Sequence, residues 1–356
     1  MSTLLRLPVT DVTAAVAALF EDRGAPPEHG VLVAENLVAA DRRGIHTHGI
    51  ARVQMYVDAI HGQRIDPQAA PVVEYGAPAA SCWDARRSFG QVTMAHVVDH
   101  ACTRAQEAGA HIAVVHSSNH FGYAGHWALR AAERGLLGMS FTTGNPLVVP
   151  TGGVRPELGT NPLALALGSG DDAFVLDMST SVVALGKLEL AERAGESVRA
   201  GWAIDGGGAP LRQPSALLED ILGGEAGGLL PLGGGGTEHG GHKGYGLGAM
   251  VEILCAVLSG GADVTPGRGV DEHFGGNAAH CTLVVDPAHL AGVEPTQAAL
   301  AGMLAGLRAS PPLDADAPVL VAGDPEREWL ARGGDDVFLE QATWAAVEAL
   351  LQEPLR

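Results

Sequence analysis

The chain has 356 residues, with 22 Lys and Arg against 41 Asp and Glu and a net charge of −19. Hydrophobic residues make up 46% and charged residues 18%, which excludes wholesale disorder. The negative charge argues against a general nucleic-acid surface and against docking on an anionic membrane, since both rely on Lys and Arg. One local cationic pocket for an anionic small molecule remains compatible with it.

Cys82, Cys102, Cys255 and Cys281 form no CxxC pair and no disulfide framework, so they read as inert thiols. The start, MSTLLRLPVTDVTAAV, lacks a basic stretch, an apolar core and a small-residue cleavage site. No apolar run reaches about 18 residues, so the chain reads as cytoplasmic and unanchored. Only Lys187 and Lys243 among the cations are lysines. Lysine and arginine are not equivalent, so either chance or a need for a compact ammonium explains them.

In chain order, Val12, Val16, Leu19 and Phe20 share a helical face that ends at Gly24. Val31, Leu32, Leu37 and Val38 form a second stripe ending at Gly44, and Val53, Tyr56, Val57 and Ile60 a third ending at Gly62. From about residue 71 short β-rich runs alternate with helices. PVVEY, ASCWD, HIAVVH, LLGMSFTT, LALAL, AFVLDM and CTLVVD predict strands. Helices are predicted over 91–108, 124–134 and 182–194, and over GYGLGAMVEILCAVLSGG. Ten glycines between 223 and 241 predict a loop. The tail predicts helices over 297–307, 326–332 and 339–351, with PVLVAG (318–323) as a short strand. The layout is helical, then α/β, then helical.

Several familiar motifs are absent. GGHKGY is not a P-loop, no HExxH or GxSxG occurs, and no GxGxxG opens a βαβ unit. An ordinary Rossmann site is therefore not supported. Three histidine-bearing segments stand out instead. In GIHTHGIAR, His48 and Arg52 lie one helical turn apart, where an imidazole and a guanidinium suit proton transfer beside a carboxylate. An exposed helix cap explains the same residues. In SSNHFGYAG, Asn119 and His120 follow a buried strand, a usual position for catalytic groups, although a helix cap is again the alternative. In GGHKGYG, His242 and Lys243 open a helix, a position that favours a phosphate, and a flexible linker is the competing reading. A metal site built from His46, His48, His239 and His242 has no established ligand spacing, so no metal is expected.

Taken in order, GIHTHGIAR, SSNHFGYAG, VVPTGG, LGTNPLALAL, LDMSTSVVALGK, GWAIDGGG and HKGYGL resemble the malate/L-lactate dehydrogenase family of NAD(P)-dependent oxidoreductases, over about residues 10 to 350. The resemblance implies a non-Rossmann α/β fold, with a central, mostly antiparallel cofactor-binding sheet flanked by helices. It implies a helical domain from residues 1–70 and 295–356, a central domain over 71–294, and a homodimer. It implies NAD or NADP as cofactor and a small 2-hydroxy or 2-oxo acid as substrate. A cyclic imino acid is the alternative substrate within the same fold, and a metal-dependent hydrolase is the alternative class. By matched position, His120 and His48 are the acid/base pair. Arg52 grips the substrate carboxylate, with Thr47 and Asn119 beside it. Gly144, the stretch Asp177, Met178, Ser179, Thr180 and Ser181, the pair His242 and Lys243, and Gly323, Asp324 and Pro325 hold the cofactor. Thr47 stands where the family has serine, and GDPE departs from the family's C-terminal loop.

Overall fold

The computed structural model describes residues 4–213, 215, 226–260 and 277–353. Strand β1 (Leu4–Pro8) leads into α1 (Val9–Glu21), α2 (Pro27–Arg42) and α3 (Val53–His61). The expected stripe of α1 is buried, with Val16, Leu19 and Phe20 fully shielded. Proline at the first turn of α2 suits a position whose N–H has no helical partner. Two 3-10 turns, His46–His48 and Ile50–Arg52, connect α2 to α3.

The central sheet comprises β2 (Val72–Ala77), β3 (Ala80–Asp84), β4 (Ala110–Ser118), β5 (Leu137–Thr142), β6 (Leu163–Leu167), β7 (Phe174–Met178) and β10 (Ala278–Val285). The order is β2-β3-β4-β10-β5-β6-β7, and only β3 and β4 run parallel. The sheet is therefore mostly antiparallel, as expected. Helices α4 (Gly90–Ala108) and α5 (Ala124–Ala132) cover one face. That core is rich in alanine (Ala101, Ala105, Ala124, Ala128, Ala131, Ala164 and Ala166). Small side chains let helix and strand backbones approach closely. The other face carries α7 (Gly241–Glu252) and a π-helical turn, Ile253–Val257, packed over Val114, Phe141 and Cys281. Between β7 and α7 lie α6 (Leu185–Ala194) and the short pair β8 (Ala203–Ile204) and β9 (Gly228–Leu229).

After β10 come α8 (Val293–Arg308), α9 (Asp324–Gly333), β11 (Asp336–Glu340) and α10 (Gln341–Gln352). Strand β11 pairs antiparallel with β1. Val337, Leu339, Val347 and Leu350 join the core built by α1, α2 and α3.

Three expectations need correction. PVLVAG is not a strand. Pro318 has no N–H to give, Val321 N–H is taken by the Asp324 carboxylate, and the run meets β7 through one bond, from Val175 N to Ala322 O. The last helix starts at Gln341, because residues 336–340 alternate inward and outward as β11. The glycine-rich stretch is not all loop. Its residues 223–225 lie outside the described residues, but Leu229 and Leu230 are buried, and Leu229 bonds to Leu147 and Val149.

Candidate active site

Strand direction gathers one end of the sheet into a cavity. β4, β5 and β7 all point their C-terminal ends the same way, while β10 and β6 begin there. Residues 120–124, 142–146, 177–179 and 277–278 line a cavity of about 510 Å³. Ile45, Thr47 and His48 from the α2–α3 connection, Met55 of α3 and Glu326 of α9 close the opposite wall.

The connection is shaped by a buried acid. The Asp41 carboxylate accepts the Ile50 N–H at 2.7 Å and meets His46 Nδ1 at 2.8 Å. A Cβ at Gly49 would lie 2.1 Å from that carboxylate, so the turn requires glycine there. His48 is thereby set at the cavity, its Nδ1 2.9 Å from Thr47 Oγ1. Burial, with the Arg52 charge adding, pushes its imidazole down to about 4.

His120 faces it, the two rings stacked with centroids 5.6 Å apart. Burial holds His120 well below the usual imidazole range, and the charges of His48 and Arg52 push the same way. Its Nδ1 lies 2.6 Å from the Tyr56 hydroxyl, which accepts a hydrogen bond from Gln91 Nε2 at 2.5 Å. The Tyr56 hydroxyl also reaches the His120 carbonyl at 3.4 Å. The floor is braced by His280. Its Nε2 meets Ser118 Oγ at the end of β4, its Nδ1 meets Thr142 Oγ1 at the end of β5, and its ring stacks on Phe121. Burial pushes His280 down to about 3, so it is a neutral brace. Tyr56, Gln91, His280 and Glu326 were not foreseen. Tyr56 and Gln91 sit on helical faces that read as core, and His280 sits inside a strand.

Of the residues expected at the site, His48, His120, Thr47, Gly144, Asp177, Met178 and Ser179 line the cavity. Asp177 accepts the Gly125 N–H at the start of α5, and its carboxyl stays exposed toward the cavity, so the upward push from the surrounding walls is screened by solvent. Other residues lie elsewhere. Asn119 is buried, and its amide donates to the carbonyls of Arg64, Arg87 and Ser88, so it pins the loop before His120. Thr180 and Ser181 are buried and spend their hydroxyls on Thr160 O, Asn161 O and Val183 O. His242 and Lys243 stand exposed in the first turn of α7, outside this cavity. Gly323 caps α9 with φ at +99°. Asp324 is ion-paired to Arg308 and Arg327, which hold it below the carboxylate range. Pro325 is exposed, and the next residue, Glu326, is the one that reaches the cavity.

Arg52 also lies off this cavity. Its Nε donates to Thr47 O at 2.6 Å, and its Nη2 lies 3.6 Å from Glu189 of α6. The guanidinium sits in a smaller recess of about 70 Å³, and Thr47 lines both spaces. The four histidines weighed as a metal set do not converge. His46 pairs with Asp41, His48 with Thr47, and among the described residues none of the four belongs to a possible metal cluster.

Two residues of the cavity wall keep buried polar atoms with no intramolecular partner, the Tyr123 hydroxyl and Asn145 Nδ2. Native interiors rarely leave such groups unmet. Beside them stand Pro146, Pro162, Phe121 and Met178. Apolar walls with a few unspent hydrogen-bonding groups suit a small organic ligand.

An imidazole pair in a half-apolar cavity at strand ends defines a site for proton transfer on a small ligand. The chain belongs to the malate/L-lactate dehydrogenase family, whose profile matches residues 7–348. It is 39% identical over 308 residues to a malate dehydrogenase of Pyrococcus horikoshii, covering 86% of this chain and 83% of the relative. It is 35% identical to a Delta(1)-pyrroline-2-carboxylate/Delta(1)-piperideine-2-carboxylate reductase of Pseudomonas putida, covering 73% of each. The crystal structure of malate dehydrogenase from Entamoeba histolytica superposes with a TM-score of 0.93 at 28% identity, over 99% of both chains. The protein is thus an oxidoreductase of this family.

Proposed function

We propose that the protein is an NAD(P)-dependent dehydrogenase of malate-type 2-hydroxy acids, with the reacting carbon held between His48 and His120. The observation that carries this reading is the stacked imidazole pair, held low by burial, on the wall of a cavity with unspent polar groups. The nicotinamide, when bound, supplies or accepts the hydride. The cavity residues that fit it are Gly144, Asn145, Asp177, Met178, Ser179 and Tyr123, with Lys243 and His242 reserved for its charged end.

His120 handles the proton. The Gly122 N–H donates to Nδ1 at 3.3 Å and the Tyr56 hydroxyl lies 2.6 Å from it, so Nδ1 is the acceptor and the neutral ring carries its hydrogen on Nε2. Nε2–H then gives its proton to the substrate carbonyl oxygen during reduction while Nδ1 takes the Tyr56 hydroxyl proton, and oxidation runs the same relay in reverse. His48 stands on the other side of the same oxygen. Arg52 holds the carboxylate after its guanidinium turns from Glu189, a partner only 3.6 Å-close and partly solvated.

We further infer two domains, 1–70 with 295–356 and 71–294, meeting at the cavity, and a homodimer. Met250, Ile253, Val257 and Leu258 are exposed on the α7 side, and Val72, Val73 and Tyr75 on β2, an amount of apolar surface that favours a second copy. No described helix is long and apolar enough to cross a membrane.

The test is a kinetic screen of the purified protein with NADH and NADPH, and with their oxidised forms, against malate, lactate and sulfolactate with their oxo acids, and against cyclic imines. Turnover of a 2-oxo dicarboxylate with unchanged rate in chelator supports the reading. Turnover restricted to the cyclic imine replaces it by the second reading, which the Pseudomonas putida relative favours. Activity abolished by chelator, or no nicotinamide oxidation with any substrate, overturns it.

A further inference from the structure

A second group of chemically capable side chains lies outside the cavity, on the face of the sheet that carries α7. Glu74, Cys82 and His116 come from β2, β3 and β4, and one donor atom of each lies within 4.8 Å of the other two. Cys82 and His116 share that face because Trp83 and Val115, their strand neighbours, point into the opposite core. Irregular pairing aims the other donors. The β2–β3 register slips between Val73 and Tyr75, so Glu74 is the unpaired residue of a bulge. The β4–β10 register slips beside His116, where Ser117 adopts φ of +55°. Bulges turn side chains off the regular alternation.

We propose that Glu74, Cys82 and His116 form a zinc-type divalent metal site that pins the β2–β3 edge to β4. A thiolate, an imidazole and a carboxylate are the donor set of a borderline-soft cation with one position left for water, and are wrong for Mg²⁺ or Ca²⁺. The histidine is already oriented. Its Nε2 meets Glu74 Oε2 at 2.8 Å, while Nδ1 faces Ser117 Oγ at 2.9 Å and the Asp84 carboxylate at 3.9 Å. A histidine whose second nitrogen is engaged by a hydroxyl and a carboxylate is the usual arrangement behind a metal-bound imidazole. On binding, the Cys82 thiol loses its proton to solvent, His116 gives its Nε2 lone pair, and Glu74 moves from hydrogen-bond partner to ligand. Its exposed side chain permits that small shift. None of the three lines the catalytic cavity, so this site is separable from the chemistry proposed above.

The experiment uses the full chain stripped with chelator and titrated with Co²⁺, then Zn²⁺. One equivalent of Co²⁺ produces a near-ultraviolet thiolate-to-cobalt charge-transfer band, which Zn²⁺ removes. Only a cysteine ligand gives that band, so binding at His48 and His120 does not imitate it. Cys82→Ser abolishes it, and Glu74→Gln weakens metal binding by about 10–100-fold. In the wild-type chain Zn²⁺ slows alkylation of Cys82 by a maleimide. The other three thiols are buried, so Cys82 dominates that reaction. Absence of the band, its persistence in Cys82→Ser, unchanged affinity in Glu74→Gln, or alkylation equally fast with and without Zn²⁺ each overturns the proposal.

Discussion

Tyr56 and Gln91 carry the cost of burying a proton-transferring imidazole. A desolvated ring needs a partner that accepts in one protonation state and yields in the other, and a hydroxyl already fed by Gln91 provides one. Tyr56→Phe keeps the ring contacts with Phe20 and Phe89 but removes that partner. A hydrogen bond worth about 0.5–1.5 kcal/mol net predicts a kcat loss of roughly 2–10-fold, with KM little changed. An altered KM with unaltered kcat in steady-state assays contradicts this. His120→Gln removes the proton carrier itself, and kcat falls about 10²–10⁴-fold while the titrated cofactor affinity is retained. Both histidines were legible in the sequence because each sits in a short polar segment between apolar runs. Tyr56 was not, because its spacing with Val53, Val57 and Ile60 is that of a core stripe, and burial and function coincide there.

The turn between α2 and α3 sets the position of His48, and its geometry depends on one buried carboxylate. Gly49→Ala places a methyl against Asp41, and overpacking of this kind costs about 1–3 kcal/mol. The expected result is a lower urea midpoint together with lower activity. A variant with normal stability and full activity contradicts the account. In α6, Glu189→Gln removes the carboxylate beside Arg52 Nη2, leaving the Nε bond to Thr47 O, and partly exposed pairs are worth about 0.2–1 kcal/mol. KM for the acid therefore falls by up to roughly 5-fold, while a raised KM removes Arg52 from the carboxylate site. At this scale the sequence was readable wherever periodicity was long, as in α1, α4 and the strands of the central sheet. It misled where a five-residue segment depended on a distant partner. Residues 336–340 become a strand only because β1 lies alongside, and 318–323 fail to become one because Asp324 and Pro318 use up or lack the donors. The placement of Arg52 was equally illegible, since spacing along a helix does not say which of two recesses a long side chain enters.

Across the whole molecule, burial of histidines makes stability depend on pH. His48 is pushed down to about 4, and His126 and His280 to about 3, each chiefly by burial. Below about pH 6.5 the unfolded chain binds protons that these folded rings refuse, so stability falls as pH falls, by up to about 1.4 kcal/mol per pH unit for each ring. His100, His111 and His120 are lowered in the same direction. Asp41 and the more exposed Asp177, both raised, oppose this, because their folded forms take up a proton that the unfolded carboxyls still release. Six rings against two carboxyls predict a urea midpoint that drops from pH 7 to pH 5, and a flat midpoint contradicts it. The layout of helices around a mixed sheet was readable from the alternation of periods, whereas the cavity required knowing which strand ends coincide. One further consequence follows from the β1–β11 ribbon, where Arg6 grips Asp336 across 330 positions of chain. A nascent chain has no mate for β1 until residues 336–340 have been made. Leu339 and Glu340 line the recess beside Thr47, so that wall is completed only when β11 has paired, and deleting either strand removes the same seam.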